Sequence, residues 1–108
     1  MTISVDKAQT AIMSFIENEI AKKATGVTKF ATYFVVGRMQ TKFPEIVHSL
    51  QGNPIVSAMG IFDDHGNVRV DEVYNAARMA MEKTGSVSVM GIIFNQADVD
   101  KLYQLMIS

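Results

Sequence analysis

The chain has 108 residues and a formal net charge of −1; 48% of the residues are hydrophobic and none is cysteine. The lack of cysteine excludes disulfides, thiolate chemistry and cysteine-based zinc sites, and the near-neutral charge argues against a strongly basic nucleic-acid-binding domain. The length predicts a single domain over residues 1–108, with a helical part over 1–62 and a strand-containing part over 63–108.

Two features of the sequence predict a cytoplasmic protein with no membrane partner. The N-terminus lacks the basic segment followed by an apolar run that marks a secretory signal. The longest apolar stretch, FATYFVVG, is far shorter than the roughly 20 residues that cross a bilayer.

The first predicted helix runs from about residue 5 or 6 to residue 24. Ala8, Ile12 and Phe15 lie at helical spacing and predict its buried face. Asp6 is the predicted N-cap, and Gly26 suits a cap at the C-terminal end.

Two further helices are predicted over 28–40 and 44–50. Apolar residues recur over three turns in the first segment, and Pro44 fits the first turn of the second, so we expect a break between them. Gly37 lies inside the longer helix, where glycine costs about 1 kcal/mol relative to alanine. This position therefore predicts the close approach of a neighbouring helix.

A fourth helix is predicted over 54–62. Asn53 is its expected N-cap and Pro54 its first residue. The segment is apolar on nearly every side, which is typical of a central buried helix. We expect it to form the centre of the core.

The second half of the chain predicts the order strand, helix, strand, helix. The strands alternate polar and apolar residues, and the helices follow acidic capping residues. The expected elements are a strand over 67–70, a helix over 71–83 capped by Asp71 and closed by Gly85, a strand over 87–94, and a last helix from Ala97 or Asp98.

A short echo relates the two helices of this half. Asp71-Glu72-Val73-Tyr74 aligns with Asp100-Lys101-Leu102-Tyr103, each after an extended apolar segment. The strands 67–70 and 89–94 are expected to pair in one small sheet, either parallel or antiparallel. The predicted fold class is thus a predominantly helical α+β fold: four N-terminal helices, then strand, helix, strand and helix with a two-stranded sheet.

Large apolar residues on the inner faces of these elements predict the core. Apolar residues outside those faces, Met13 and Val36 on the first two helices and Tyr74 and Met79 on the 71–83 helix, predict a contact surface if several converge. The predicted core comprises Ile12, Phe15, Ile16, Phe30, Phe34, Ile55, Met59, Phe62, Val73, Ala77, Ile92 and Leu102.

The acidic turn DDHGNVRVDEV partly resembles a calcium-binding EF-hand loop. With Gly66 at the invariant glycine, position one is Ile61, which offers no side-chain oxygen, and position five is His65, a poor ligand for a hard cation. Asp63, Asp64 and His65 are therefore only weak candidates for a metal or small-molecule site, and a polar turn explains them equally well.

No catalytic constellation is visible in the sequence. Glycine-rich phosphate loops and nucleophile elbows are absent, and two of the three carboxylate pairs, Asp71-Glu72 and Asp98/Asp100, lie where helix starts favour negative charge. We therefore expect no enzyme activity and no cofactor.

Basic residues cluster around the first interhelical turn and the second helix. Two helices joined by a glycine-containing turn suggest a helix-turn-helix, but the second helix is mainly apolar. The candidate nucleic-acid contacts are Lys22, Lys23, Lys29, Arg38 and Lys42.

Three hypotheses follow from these observations. The first is a non-enzymatic interaction or assembly module that forms homo-oligomers through its helices, because apolar residues are in surplus and catalytic residues are missing. The second is a small DNA-associated regulator that uses the Lys22–Lys42 region. The third is a metal- or small-molecule-binding protein around Asp63, Asp64 and His65.

The segments GNVRVDEVY and FNQADVDKLY resemble parts of small uncharacterised bacterial proteins often encoded by prophages. The resemblance covers about 40 residues and defines no family. It implies a bacterial or phage origin and a cytoplasmic setting, and it transfers no functional residue.

Overall fold

A computed structural model describes residues 1–22, 24–89 and 92–108. Helices dominate these ranges, and two small antiparallel sheets accompany them, so the predicted helical α+β fold class is confirmed. The elements in chain order are β1 (Thr2–Ile3), α1 (Val5–Phe15), a π-helical segment (Ile16–Ala21), α2 (Gly26–Gln51), α3 (Pro54–Met59), β2 (Val68–Arg69), α4 (Val70–Thr84), β3 (Val87–Val89), β4 (Ile92–Phe94) and α5 (Gln96–Ile107).

The first predicted helix changes its winding halfway. Ser4, not Asp6, is the N-cap of α1, and its hydroxyl accepts a hydrogen bond from the Lys7 amide at 3.1 Å. After Phe15 the chain continues as the π-helical segment. Hydrogen bonds in a π-helix join residues five apart. Ile16 and Ala21, the first and last residues of this segment, are both completely buried.

The two helices predicted over 28–40 and 44–50 are one continuous helix, α2. Pro44 lies in its interior, where it removes one backbone hydrogen bond. The buried side of α2 nevertheless continues past the proline at helical spacing. Packing of this buried side outweighs the free-energy cost of Pro44 and keeps the two halves of α2 in one continuous helix. The buried residues are Thr32, Val36, Met39, Phe43 and Val47.

The prediction of a central buried helix over 54–62 is wrong. Asn53 does cap α3, accepting from the Ile55 amide at 2.8 Å, but the helix ends at Met59 and none of its residues is buried. Ile55 is 73% exposed. A helix of six residues covers too little surface to organise a core, whatever its apolar content.

The predicted pairing of 67–70 with 89–94 is also wrong. β2 pairs with β1, the unpredicted strand near the N-terminus, and β3 pairs with β4; both pairs are antiparallel. The segment predicted as one strand over 87–94 is therefore two strands. Neighbouring segments can pair at a small loop-closure cost, which favours the local pairing of β3 with β4.

Of the caps predicted for the two C-terminal helices, Gly85 is confirmed and Asp71 is wrong. Gly85 ends α4 with a positive φ of 83°, as expected. Asp71 lies in the first turn of α4 and is not its N-cap. Asn95 begins α5 through a reciprocal capping box with Asp98, so this helix starts slightly earlier than predicted.

The core consists of two adjoining clusters that α1 and α5 help to connect. Phe15 and Phe94 stack in the first at a ring-centroid distance of 5.5 Å, and Val70 anchors the second. Burial of Phe15 and Ile16 was predicted correctly. Phe30, Phe34, Ile55 and Met59 were expected in the core and are exposed, whereas the other predicted core residues are half-buried: Ile12, Phe62, Val73, Ala77, Ile92 and Leu102.

Candidate interaction surface

The most distinctive surface of the molecule is an apolar stripe on the N-terminal half of α2. Val27, Phe30 and Phe34 follow one another at i, i+3 and i+7 and are 86%, 82% and 65% exposed. We call this stripe the outer face of α2. Three large apolar side chains on one helix face exceed the scattered single residues that are normal on protein surfaces.

The outer face lies opposite the buried side of α2. A helix turns by about 100° per residue, so Phe30 and Phe34 lie roughly half a turn away from Val36 and Phe43. α2 is therefore apolar on two opposite sides. One side faces the core of its own chain, and the other faces solvent.

Gly37 continues the stripe one turn beyond Phe34. Nothing lies within 4 Å of the position that a Cβ atom would take there. The predicted close approach of another helix is therefore not made within the described part of this chain. The glycine leaves a shallow gap at the end of the outer face.

Charged residues along α2 do not form one basic face. Lys29 and Arg38 are nine positions apart, about two and a half turns, so they lie on opposite sides of the helix. Arg38 covers one side of the Phe34 ring, with its guanidinium carbon 5.9 Å from the ring centroid. Lys42 pairs with Glu45 at 3.5 Å. Lys22 is exposed before α2, and Lys23 lies outside the described residues.

The side chain of Asp63 stabilises the acidic turn through hydrogen bonds to its backbone. One carboxylate oxygen of Asp63, Oδ1, accepts hydrogen bonds from the backbone amides of His65 and Asn67, both at 2.9 Å. Asp64 and His65 are exposed beside it. Within residues 1–22, 24–89 and 92–108, no group of three or more acidic or histidine side chains is arranged to hold a metal ion.

The two similar segments, Asp71–Tyr74 of α4 and Asp100–Tyr103 of α5, contact each other. Tyr74 Oη donates to Asp100 Oδ1, and Tyr103 Oη donates to Asp71 Oδ1, each at 2.6 Å. The centroids of the two tyrosine rings are 4.7 Å apart. We call these four residues the Tyr–Asp clasp. Each helix supplies one acceptor and one donor three residues later, on the same face, so the clasp holds α4 against α5.

The clasp shifts the ionisation of all four groups. The hydrogen bond from Tyr103 lowers the pKa of Asp71, and the hydrogen bond from Tyr74, helped by Gln96, lowers the pKa of Asp100. The same bonds raise the pKa values of Tyr74 and Tyr103, because a deprotonated phenol could no longer donate to the carboxylate.

These shifts predict a pH window for the contribution of the clasp. Lowered aspartate pKa values give stability that is present above the ordinary value of 3.8 and is lost as the pH falls through the folded-state values. Raised tyrosine pKa values give stability that is present below 10.0 and is lost as the pH rises through the folded-state values. We expect Tyr74→Phe to lower Tm between about pH 4 and pH 10 and to have a smaller effect at both extremes.

Tyr33→Phe is the matched control for this experiment. Tyr33 is 46% exposed on α2 and lies outside the clasp. Thermal unfolding followed by circular dichroism from pH 2 to pH 12 compares the two variants with the natural chain. Equal effects of both substitutions at every pH would show that the clasp contributes nothing.

The outer face of α2 was not predicted, because helical periodicity assigned Phe30 and Phe34 to the core. The apolar residues that were predicted to lie outside the buried helix faces differ in their exposure. Val36 is buried and Met13 half-buried, while Met79 is 59% exposed on α4. The one available signal was that α2 has large apolar residues on more than one side.

Comparison with protein-family models, curated proteins and solved structures found no match to this chain. None of the helices in the described ranges is long and apolar enough to cross a membrane.

Proposed function

We propose that this protein is a non-enzymatic assembly module that self-associates through the outer face of α2, with a second copy of the same chain as its partner. The observation that carries the proposal is the exposure of Val27, Phe30 and Phe34 on the side of α2 opposite the core. The absence of cysteine suits a reducing compartment, and we place the association in the cytoplasm.

The pattern along the outer face is complementary to itself. Val27 and Gly37 lie at equal distances on either side of the midpoint between Phe30 and Phe34. In an antiparallel pair of α2 helices, Phe30 packs beside Phe34 of the second copy and Val27 fills the gap at its Gly37. Such a two-fold contact uses the same patch on both molecules and closes at the dimer.

The available area fits a dimer of modest affinity. A phenylalanine buries roughly 150–250 Å² when covered, so Phe30 and Phe34 at 82% and 65% exposure offer roughly 300 Å² per copy. Val27, which is 86% exposed, adds a smaller area. The four phenylalanine rings of two copies thus bury roughly 600 Å², which with Val27 stays below the about 1,200 Å² of standard-size interfaces and falls in the range of weak, transient contacts. Dimerisation is therefore expected to depend on protein concentration.

The proposal predicts that charges on the outer face abolish self-association. We expect the natural chain to shift from monomer to dimer with rising concentration, and Phe30→Glu combined with Phe34→Glu to remain monomeric, because two pairs of carboxylates would then meet in the interface. Light scattering on a sizing column measures the mass directly. The apolar contact should persist at high salt.

Ile55→Glu is the matched control, since Ile55 is also a large exposed apolar residue, 73% exposed, but lies on α3. It should leave the dimer intact. A natural chain that is monomeric at every concentration would refute the proposal. A dimer that survives the double substitution would place the interface elsewhere and refute it as well.

A further inference from the structure

An apolar cavity of about 170 Å³, partly open to solvent, lies between α4, α5, α1 and the β3–β4 pair. Ile12 and Leu102, which belong to the margins of both core clusters, are among the residues that line it. Val73 and Ala77 line it from α4, and Val87 from β3. The cavity thus lies where the two clusters meet and leave space between them.

The walls of the cavity offer almost no hydrogen-bonding groups to a polar ligand. The two hydroxyl-bearing side chains in the lining, Tyr74 and Tyr103, donate their hydrogens to Asp100 and Asp71 in the clasp. Among the described residues, no buried side-chain nitrogen or oxygen lacks a hydrogen-bond partner. Water that enters this cavity finds few of the roughly two to four polar partners that hold an ordered water, so an apolar ligand can displace it readily.

We propose that this cavity binds a small uncharged apolar molecule about the size of one aromatic ring. An enclosed apolar cavity of about 150 Å³ lined by aliphatic and aromatic side chains admits benzene, and this partly open cavity offers a single ring walls of the same chemistry and a similar volume. The rings of Tyr74 and Tyr103 are half-buried and form part of the wall next to solvent, so a bound ring packs against them. The clasp fixes both rings and thereby sets the shape of the site.

Benzene is the probe for this site. In the natural chain, nuclear magnetic resonance should show saturable benzene-dependent shifts for the methyl groups of Val73, Val87 and Leu102 and none for Ile55, which lies on the surface of α3. Tm should rise with benzene concentration once it exceeds the dissociation constant, since the ligand binds only the folded state.

Ala77→Leu fills the cavity from α4 and should abolish both effects. Ala80→Leu is the matched control, because Ala80 is exposed on the same helix and does not line the cavity; it should leave benzene binding unchanged. If Ala77→Leu fails to fold, the methyl shifts of the natural chain still show whether benzene binds in the cavity. Shifts that do not saturate, or that spread equally to Ile55, would overturn the proposal.

Discussion

Replacement of Phe15 by alanine is expected to destabilise the protein by about 3–5 kcal/mol, the range for removing a buried phenylalanine ring. Phe15 is completely buried in the first core cluster, where it stacks on Phe94 at 5.5 Å. Its removal loses the transfer free energy of the ring and leaves a void that the backbone cannot close. Since small domains have a total stability of about 5–15 kcal/mol, this variant should be only marginally folded.

Phe30→Ala provides the matched comparison for Phe15→Ala. Both phenylalanines lie at positions that helical periodicity assigns to a core, but Phe30 is 82% exposed. In dilute solution its substitution should change the free energy of unfolding by less than about 0.5 kcal/mol. Urea unfolding at low protein concentration measures both. Similar losses in the two variants would mean that the outer face of α2 is covered within its own chain.

Replacement of Pro44 by alanine is expected to stabilise the protein by about 2 kcal/mol. Proline inside a helix costs about 3 kcal/mol, because it lacks the amide hydrogen and its ring crowds the preceding turn. About 1 kcal/mol of this gain is lost again, since alanine gives the unfolded chain more freedom. Pro44 is exposed, so the smaller side chain leaves no cavity.

Pro54→Ala is the control for the backbone argument. Pro54 lies at the start of α3, where no helical hydrogen bond uses its nitrogen. Its substitution should not stabilise the protein. Thermal and urea unfolding of the two variants therefore distinguish the continuous helix α2 from two separate helices. A loss of stability in Pro44→Ala would indicate that Pro44 begins a second helix, as its sequence context first suggested.

The two proposed binding surfaces can be tested independently because they share no residue. The outer face belongs to α2, whereas the cavity is lined from α1, α4, α5 and the β3–β4 pair. The double glutamate substitution of Phe30 and Phe34 should leave benzene binding intact. Ala77→Leu should leave the mass of the assembly intact. Failure of one proposal thus says nothing against the other.

Features that depend on a few neighbouring residues were predictable from the sequence. Asn53 caps α3 and Gly85 ends α4, because cap geometry is decided by side chains and φ angles within one turn. The Asp–Tyr spacing shared by α4 and α5 was also visible in the sequence. Its meaning was not, since only the packing of the two helices brings each tyrosine to the aspartate of the other.

Features that depend on what covers a surface were decided only by the tertiary structure. Periodicity shows that Phe15 and Phe30 each belong to an apolar helix face, but it does not show which face meets another element. Packing of one side of α2 carries the helix through Pro44, against the local preference for a break. β2 pairs with the N-terminal β1. The two strands are far apart in the sequence, and local sequence patterns do not reveal a pairing over that distance. The sequence alone thus determined the helical α+β class and the approximate starts of most helices, whereas long-range packing decided which apolar residues are buried and which remain on the outer face of α2.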